Sequence, residues 1–145
     1  MSWLEQLDGI HQIFLDTAPV IYYVEKNPSF ASMLQPVFNR LDDGNLTAVV
    51  SPITLAECLV LPYRLGESTV AEVFTDLLVN SQSVLFCPID ETTAAKAADL
   101  RARYNLTLSD AFQIATALQA GCEAFLTNDS ELKRVTEIPI LIVSE

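Results

Sequence analysis

Carboxylates are the side chains of this sequence best able to do chemistry, because other catalytic and metal-binding groups are scarce. His11 is the only histidine, and Cys58, Cys87 and Cys122 lie far apart without forming a CxxC pair. A zinc site, a Ser-His-Asp triad and a Cys-His pair therefore have few possible members, and we expect the cysteines to be reduced, buried thiols. The acids whose positions suggest a site are Asp16, Glu57, Asp110 and Asp129.

These four acids occupy positions where functional groups gather in proteins built of alternating strands and helices. Asp16 directly follows one predicted strand, Asp129 follows another after one residue, and Asp110 opens an apolar helix. Because sites in such folds form at the carboxyl edge of the sheet, these aspartates are candidates to converge there. Glu57 lies in an apolar stretch of helix, where an ionised carboxylate costs free energy unless it is paired or metal-bound.

Each acid, taken alone, also has an ordinary structural explanation. Asp16 and Asp129 are at positions where aspartate often caps a helix or occupies a turn. Asp110 could simply complement a helix dipole, an effect of about 0.3–1 kcal/mol. Glu57 could occupy the one solvent-facing stripe of its helix. Only the combination of four acids, spread over more than one hundred residues, points to a shared site.

A cluster of four carboxylates would favour the binding of divalent cations. Without cations, the acids would repel one another and raise one another's pKa values. An oxygen-only site without histidine or thiolate is what Mg²⁺ or Mn²⁺ prefers. Two such ions about 4 Å apart can bind a phosphodiester, one activating water and the other stabilising the leaving oxygen. The acids are therefore compatible with phosphodiester hydrolysis by a two-metal mechanism, which needs no histidine base.

The hydrophobic pattern predicts the elements that would position these acids. Short apolar or β-branched runs predict five strands, at residues 11–15, 46–50, 84–87, 124–127 and 139–143. Apolar spacing, first-turn prolines and terminal glycines predict helices beginning near Pro19 and covering 29–42, 51–59, 68–79, 90–104, 109–120 and 130–134. Strands separated by helices favour an α/β fold, a three-layer α/β/α sandwich around a mostly parallel five-stranded sheet.

Composition limits the classes of protein to which the chain can belong. Its 145 residues, half of them apolar and 19% charged, predict one compact domain over residues 1–145. Neither GxGxxG nor GxxxxGK[ST] occurs, which argues against a Rossmann dehydrogenase and a P-loop enzyme. Since no run of about 18 uncharged apolar residues is present and residues 1–10 do not resemble a secretory signal, we expect a cytoplasmic protein without a membrane association.

The charge of the chain opposes binding to nucleic acid. The formal net charge is −11, and phosphate binding normally relies on Lys and Arg. The four positive charges of two divalent ions would bring the total only to −7. RNA would therefore have to be held by local cations before Asp110 or after Asp129, unless these belong to an ordinary solvated face. The candidates are Lys96, Arg101, Arg103, Lys133 and Arg134.

Four segments together resemble the sequence motifs of PIN domains, in the same order. Residues 13–22, IFLDTAPVIY, are similar to the opening strand that ends in Asp-Thr. Residues 51–57, SPITLAE, resemble a Ser/Thr-rich turn leading to Glu, and residues 108–117, LSDAFQIATA, resemble an Asp heading an Ala-rich helix. Residues 125–129, FLTND, are similar to the strand followed by Thr-Asn-Asp. Any one motif is unspecific, but the series of four spans nearly the whole chain.

The resemblance implies an RNA endonuclease that uses Mg²⁺ or Mn²⁺. Asp16, Glu57, Asp110 and Asp129 correspond to the family's metal-site acids, and Thr127 and Asn128 correspond to positions that support the site. Ala18 departs from many members, which carry Ser or Asn there. Family members of this length are commonly VapC-like toxins, usually dimeric and inhibited by a small antitoxin, and they typically cut transfer or ribosomal RNA.

Two alternatives remain open from the sequence. A catalytically silent PIN-like scaffold that binds RNA or protein would suit the acidic surface, although all four acids are present. A receiver-type signalling module is also a small α/β protein with acids at strand ends. A receiver would need an acidic pair after the first strand and an aspartate after the third. Here Asp16 is followed by Thr17, and the third predicted strand ends in Cys87-Pro88.

Overall fold

The computed structural model describes residues 2–145 and contains one five-stranded sheet. All four neighbouring strand pairs are parallel, in the order β3-β2-β1-β4-β5. The predicted α/β class and mostly parallel five-stranded sheet are therefore confirmed. The strands are β1 (Gln12–Leu15), β2 (Thr47–Val50), β3 (Val84–Phe86), β4 (Ala124–Thr127) and β5 (Ile140–Ile142).

Most helices in the described residues begin at a residue that caps them. Ser51 accepts hydrogen bonds from the first-turn N–H groups of α4, and Asp90 and Thr107 do the same for α6 and α7. Gly66, at φ 67°, ends α4 in the left-handed conformation that glycine adopts readily. The helices are α1 (Trp3–Gln6), α2 (Thr17–Val24), α3 (Ala31–Asp42), α4 (Pro52–Leu65), α5 (Ser68–Val79), α6 (Glu91–Tyr104) and α7 (Leu108–Gln119).

The sheet separates two apolar cores, which is the three-layer arrangement predicted. Alternate strand residues point to opposite faces, so Ile13 and Leu15 pack with the α2–α5 side while Phe14 packs with α6 and α7. The rings of Phe14 and Phe125 stack across β1 and β4, with centroids 5.1 Å apart. Burial of both faces explains why the strands read as continuous apolar runs.

Several element boundaries differ from the prediction. Helix α4 runs to Leu65 instead of stopping at residue 59, because its buried face continues through Cys58 and Pro62. Helix α3 begins at Ala31, two residues later than predicted, since the Asn27 side chain accepts hydrogen bonds from the backbone of Ser29 and Phe30 in a turn. Helix α1 was not predicted at all.

The strand order excludes the receiver-type alternative. Receiver-type modules have the order 2-1-3-4-5, whereas this sheet has the order 3-2-1-4-5. The chain moves outward from β1 through β3 and then returns to place β4 and β5 on the other side of β1. Open α/β sheets bind ligands outside the carboxyl ends of the strands at such a reversal. No helix within residues 2–145 combines the length and hydropathy needed to cross a membrane.

Candidate active site

Asp16 lies in the crevice between the carboxyl ends of β1 and β4. It is the first residue after β1 and the N-cap of α2, and its Oδ1 accepts a hydrogen bond from the Thr17 N–H at 2.9 Å. The Thr127 hydroxyl, at the end of β4, donates to Asp16 Oδ2 at 2.8 Å. Asp16 is only 8% exposed. Asp16 thus caps α2, which is the ordinary explanation for an aspartate at this position. Capping does not explain why the side chain is buried and why it contacts β4.

Glu57 is exposed on α4, yet hydroxyl groups from two other helices hold its carboxylate. Thr17, the first residue of α2, donates to Glu57 Oε1 at 2.6 Å. Ser109, in the first turn of α7, donates to Glu57 Oε2 at 3.2 Å. The residue thus links α2, α4 and α7 at the edge where Asp16 lies. Glu57 therefore does lie on the solvent-facing side of α4, the ordinary explanation for this residue, and the expected desolvation of its carboxylate is not observed. That explanation does not account for the two hydroxyl groups that hold the carboxylate in place.

Asp110 and Asp129 act on each other electrostatically, Asp110 also acts on Asp16, and both Asp110 and Asp129 are half-buried. Asp110 is the third residue of α7, so the expectation that it opens the helix is off by two residues; Thr107 caps the helix and accepts from the Asp110 N–H at 3.1 Å. Asp129 caps the 3₁₀ helix Ser130–Arg134, and its N–H donates to the Thr127 hydroxyl at 3.2 Å. Thr127 therefore contacts two of the four acids.

The acids influence one another electrostatically. Burial raises the pKa of Asp16 to about 6, and the negative charges of Asp110 and Glu57 add to the increase, against the opposing hydrogen bonds from Thr127 and Thr17. The pKa of Asp110 is also raised, chiefly by burial, and the charges of Asp129 and Glu57 contribute. Mutual repulsion of this kind is what a cation placed among the acids would relieve.

The donor groups fit a divalent cation in their chemistry, although they do not form a closed shell. Carboxylate oxygens without thiolate or imidazole are the ligands that Mg²⁺ and Mn²⁺ prefer. Within the part of the chain that the structure describes, no three His, Cys, Asp or Glu side chains lie together as a preformed metal-binding group. The four acids therefore lie near one another at the carboxyl ends of β1 and β4, but their oxygens are not arranged around one point at which a cation could be bound by three of them.

Asn128 and Tyr22 form a second contact beside the crevice. The Asn128 amide donates to the Tyr22 hydroxyl at 3.2 Å, and its Oδ1 accepts from the Ser144 N–H at 3.1 Å. Asn128 therefore bridges α2 and the C-terminal segment, and its side chain makes no hydrogen bond to Asp16 among residues 2–145. Tyr22 also stacks on Phe30, with ring centroids 4.8 Å apart.

The predicted RNA-binding cations differ in their availability. Arg103 pairs with Asp99 and Glu137, and Lys133 pairs with Glu145. The remaining three, Lys96, Arg101 and Arg134, make no ion pair among residues 2–145.

Arg134 is the candidate cation closest in influence to the acids. Its positive charge opposes the rise in the pKa of Asp110. It also donates to the Asn105 carbonyl at 3.2 Å, while Arg101 donates to the Leu106 carbonyl, so both arginines hold the loop before α7. Lys96 is exposed on α6.

The sequence pattern did not single out the two hydroxyl groups that hold Glu57, or the buried amide of Gln113 on α7. Thr17 and Ser109 lie within the recognised motifs, one residue after Asp16 and one before Asp110. Gln113 is completely buried in α7, where the apolar pattern predicted only packing residues. An amide in the middle of an apolar helix face was the available sign, because buried polar groups need partners.

Fold and site together define an α/β protein with an acidic crevice at the carboxyl ends of β1 and β4. The chain belongs to the PIN domain family, which it matches over residues 13–138. The resemblance inferred from the four motifs is thereby confirmed. PIN domains are generally nucleases that use divalent metal ions. Comparison with curated proteins gives no significant match.

Solved structures with a similar fold include proteins of toxin–antitoxin systems. VapBC-1 from nontypeable Haemophilus influenzae is 19% identical, with a TM-score of 0.68 over 92% of this chain and 99% of that chain. VapC20 from Mycobacterium tuberculosis, a toxin that cleaves the sarcin-ricin loop, is 16% identical, with a TM-score of 0.67 over 88% and 98%. VapBC2 from Rickettsia felis, bound to a promoter DNA fragment, is 18% identical, with a TM-score of 0.64 over 89% and 96%. At these identities the likeness establishes the fold.

Proposed function

We propose that this chain is a single-domain endoribonuclease that hydrolyses RNA phosphodiester bonds with the help of Mg²⁺ or Mn²⁺, and that it is the VapC-like toxin of a toxin–antitoxin pair. The observation that carries the proposal is the buried Asp16 carboxylate at the carboxyl ends of β1 and β4, where the strand order reverses. The negative charges of Glu57 and Asp110 act on this carboxylate and raise its pKa. A buried carboxylate that is close to other carboxylates destabilises the folded state unless something binds it, and carboxylates of this kind are typical of functional sites.

The acids would hold the metal, and the neighbouring hydroxyls would orient the acids. Asp16, Glu57, Asp110 and Asp129 are the proposed ligands, with Thr127 supporting Asp16 and Asp129. Asn128 would support the site from its bridge between α2 and the C-terminal segment. When bound, divalent ions would supply the activation of water and the neutralisation of charge on the phosphate, so no histidine base would be required. Holding the carboxylates in place is the work left to the chain itself.

RNA would approach the crevice against the net charge of the protein. Arg134 is the cation best suited to contact the phosphate backbone, because its charge acts on Asp110 and it has no ion-pair partner among residues 2–145. Arg101, which donates to the Leu106 carbonyl in the loop before α7, would extend this contact. Lys96 lies toward the amino end of α6, where Thr93 bonds to Gln119 at the opposite end of α7 from Asp110, and would contact only a more distant part of the RNA. Arg103 and Lys133 would have to leave their carboxylate partners to take part. We therefore expect weak RNA binding that falls steeply with salt.

The partners proposed for this chain follow from proteins of similar fold. Those proteins include a toxin–antitoxin complex from Klebsiella pneumoniae. This similarity of fold supports the proposal that a small antitoxin binds this chain. A homodimer and a transfer or ribosomal RNA substrate belong to the same proposal, as does a cytoplasmic location, where the three free cysteines would stay reduced. Apolar side chains exposed on α4 suit a protein contact: Val60, Leu61, Tyr63 and Leu65.

RNA cleavage by the purified chain tests the proposal. Total RNA is incubated with the protein in Mn²⁺ or Mg²⁺, beside an EDTA control and an Asp110→Asn variant. Glu72→Gln, which removes an exposed acid from α5, is the charge-matched control. We expect cleavage by the wild type and by Glu72→Gln, and its loss with EDTA and in Asp110→Asn. The fragments would then identify the RNA.

Calorimetry with Mn²⁺ on the same samples separates the nuclease from a silent scaffold. A wild type that binds Mn²⁺, with binding lost in Asp110→Asn, supports the site even where the RNA offered is not the right one. Absence of both cleavage and Mn²⁺ binding would overturn the proposal. The remaining function would then be that of a PIN-like scaffold that binds RNA or protein.

A further inference from the structure

A buried polar network joins α4 to α7, the two helices that carry Glu57 and Asp110. Gln113 of α7, Thr54 of α4 and Ser51, the N-cap of α4, are each 0% exposed. The Gln113 amide nitrogen donates to the Thr54 hydroxyl at 2.8 Å, and the Ser51 hydroxyl donates to the Gln113 amide oxygen. The Ser51 N–H donates to the Thr54 hydroxyl at 3.2 Å. These bonds form a closed ring between the two helices.

The first N–H groups of α4 find hydrogen-bond acceptors without the bonds that Gln113 makes. Ser51 already caps the helix, since its hydroxyl oxygen accepts from the Ile53 N–H at 3.0 Å. Apolar side chains in place of all three members of the ring could fill this space with little loss of stability, because replacing both partners of a buried hydrogen bond by apolar groups of the same shape can be nearly neutral. What an apolar contact cannot supply is one fixed register, which directional hydrogen bonds impose.

The register set by this ring is the one in which the site acids approach each other. On a helix, residues three or four positions apart lie on the same face. Glu57 lies three residues beyond Thr54 on α4, and Ser109 lies four residues before Gln113 on α7. The bond from the Ser109 hydroxyl to Glu57 Oε2, at 3.2 Å, therefore spans the same helix pair about one turn nearer the crevice. Asp110 follows Ser109 directly.

We propose that Gln113 is a positioning residue that holds α4 and α7 in the register at which Glu57 and Asp110 can share a divalent cation. This inference rests on the proposed function and names a residue of the same site that touches neither metal nor RNA. Residues that orient metal ligands commonly change metal affinity or activity by about 10- to 100-fold when they are replaced. Gln113 acts in this way through the ring and the helix faces that carry the ligands.

The test compares two substitutions in the same helix. Gln113→Met keeps the length and volume of the side chain but breaks the ring, and methionine adapts well to an irregular space. Ile114→Ala, at a completely buried neighbour, loosens the packing of α7 without touching the ring. Both variants are measured well below their unfolding temperatures, for Mn²⁺ dissociation constant and for kcat and KM on the RNA that the wild type cleaves.

We expect Gln113→Met to weaken Mn²⁺ binding by at least about tenfold and to lower kcat with little change in KM. Ile114→Ala should leave both quantities near the wild-type values even where it is the less stable variant. Wild-type values in Gln113→Met would overturn the inference. So would parallel losses in the two variants, since these would show that α7 stability alone governs the site.

Crystal structures keep the inference testable independently of the nuclease proposal. If the wild type neither binds Mn²⁺ nor cleaves RNA, the proposed function fails, and the bond between Ser109 and Glu57 then decides the role of Gln113. Loss of that bond in Gln113→Met, with its retention in Ile114→Ala, supports positioning by the ring. Its retention in Gln113→Met overturns it.

Discussion

The two ends of strands β1 and β4 each carry a carboxylate with two hydrogen-bond donors, and their pKa values move in opposite directions. At the amino end, Glu123 Oε1 accepts from the N–H groups of His11 and Gln12 at 2.7 and 3.1 Å, and these bonds lower its pKa. At the carboxyl end, Asp16 also accepts two bonds, from Thr17 and Thr127, yet its pKa rises to about 6.

Solvation and neighbouring charge explain the difference. Glu123 is exposed, so its ionised form keeps its hydration and gains the bonds. Asp16 is buried, and Glu57 and Asp110 add negative charge nearby. Two donors do not compensate for lost water and repulsion. The amino end therefore uses an acid to tie strands together, while the carboxyl end keeps an acid in an unfavourable state that a bound cation would relieve.

The largest expected effect is the loss of RNA cleavage on neutralising the carboxyl-end acid. Asp16→Asn should lower the cleavage rate at least about 100-fold, because replacing even the groups that orient metal ligands costs 10- to 100-fold. Glu123→Gln should stay within about twofold of the wild type, as expected for a surface change away from the site. Initial cleavage rates in Mn²⁺ measure both effects. Equal losses of rate in the two variants would show that the acids at the two ends of the strands do not differ in their contribution to cleavage.

The next effect is a gain of stability in the same variant. The pKa of Asp16 is raised from 3.8 to about 6 in the folded chain. A raised pKa means that the stability contributed by the protonated group is fully present below pH 3.8 and is lost as the pH rises through about 6. In EDTA, Asp16→Asn should therefore be more stable than the wild type above pH 7, by at most about 2–3 kcal/mol.

Urea unfolding at several pH values measures this difference, which should shrink toward pH 4. Adding Mn²⁺ should stabilise the wild type and leave the variant unchanged, because only a chain that binds the ion gains from it. A variant that is less stable than the wild type throughout the pH range would show that Asp16 is not destabilising in the metal-free fold.

A smaller effect is expected from the hydroxyl that links β4 to the acids. Thr127→Val removes the donor to Asp16 and the acceptor for the Asp129 N–H, and should cost about 1–3 kcal/mol because polar groups are left unsatisfied in a buried place. Thr116→Val is the matched control: Thr116 is as deeply buried, but its hydroxyl bonds only to the Phe112 carbonyl of its own helix. Equal losses of unfolding free energy in the two variants would contradict a special role for Thr127.

The smallest effect belongs to the amino end. Glu123→Gln should lower stability slightly at pH 7, because the lowered pKa of Glu123 contributes stability that is present above pH 4.5 and is lost as the pH falls through the folded value. The difference from the wild type should therefore disappear in acid, as it does for Asp16→Asn, but its sign at pH 7 is opposite: Glu123→Gln is the less stable chain there, whereas Asp16→Asn is the more stable one. Thermal unfolding at pH 7 and pH 3 measures this sign, and a difference that grows in acid would contradict it.

The amino-acid pattern alone predicted the α/β class, the five strands and the four acids, since strand runs and capping residues are local features. It missed helix α1 and placed the end of α4 six residues too early, because burial of Pro62 against the rest of the chain is not visible locally. The roles of the four acids as metal ligands remain predictions.

Only the tertiary structure decided which acid is buried and which groups hold each one. The sequence does not show that β4 inserts beside β1, and this pairing alone brings Thr127 to Asp16, 111 residues away. The ring formed by Gln113 likewise joins residues of two helices that are 59 and 62 positions apart along the chain. Residue types and their spacing determined which chemistry was possible, because ligand preference is a property of the side chain. Strand order and helix packing decided where that chemistry can occur, because pKa values and contacts depend on neighbours that are distant along the chain.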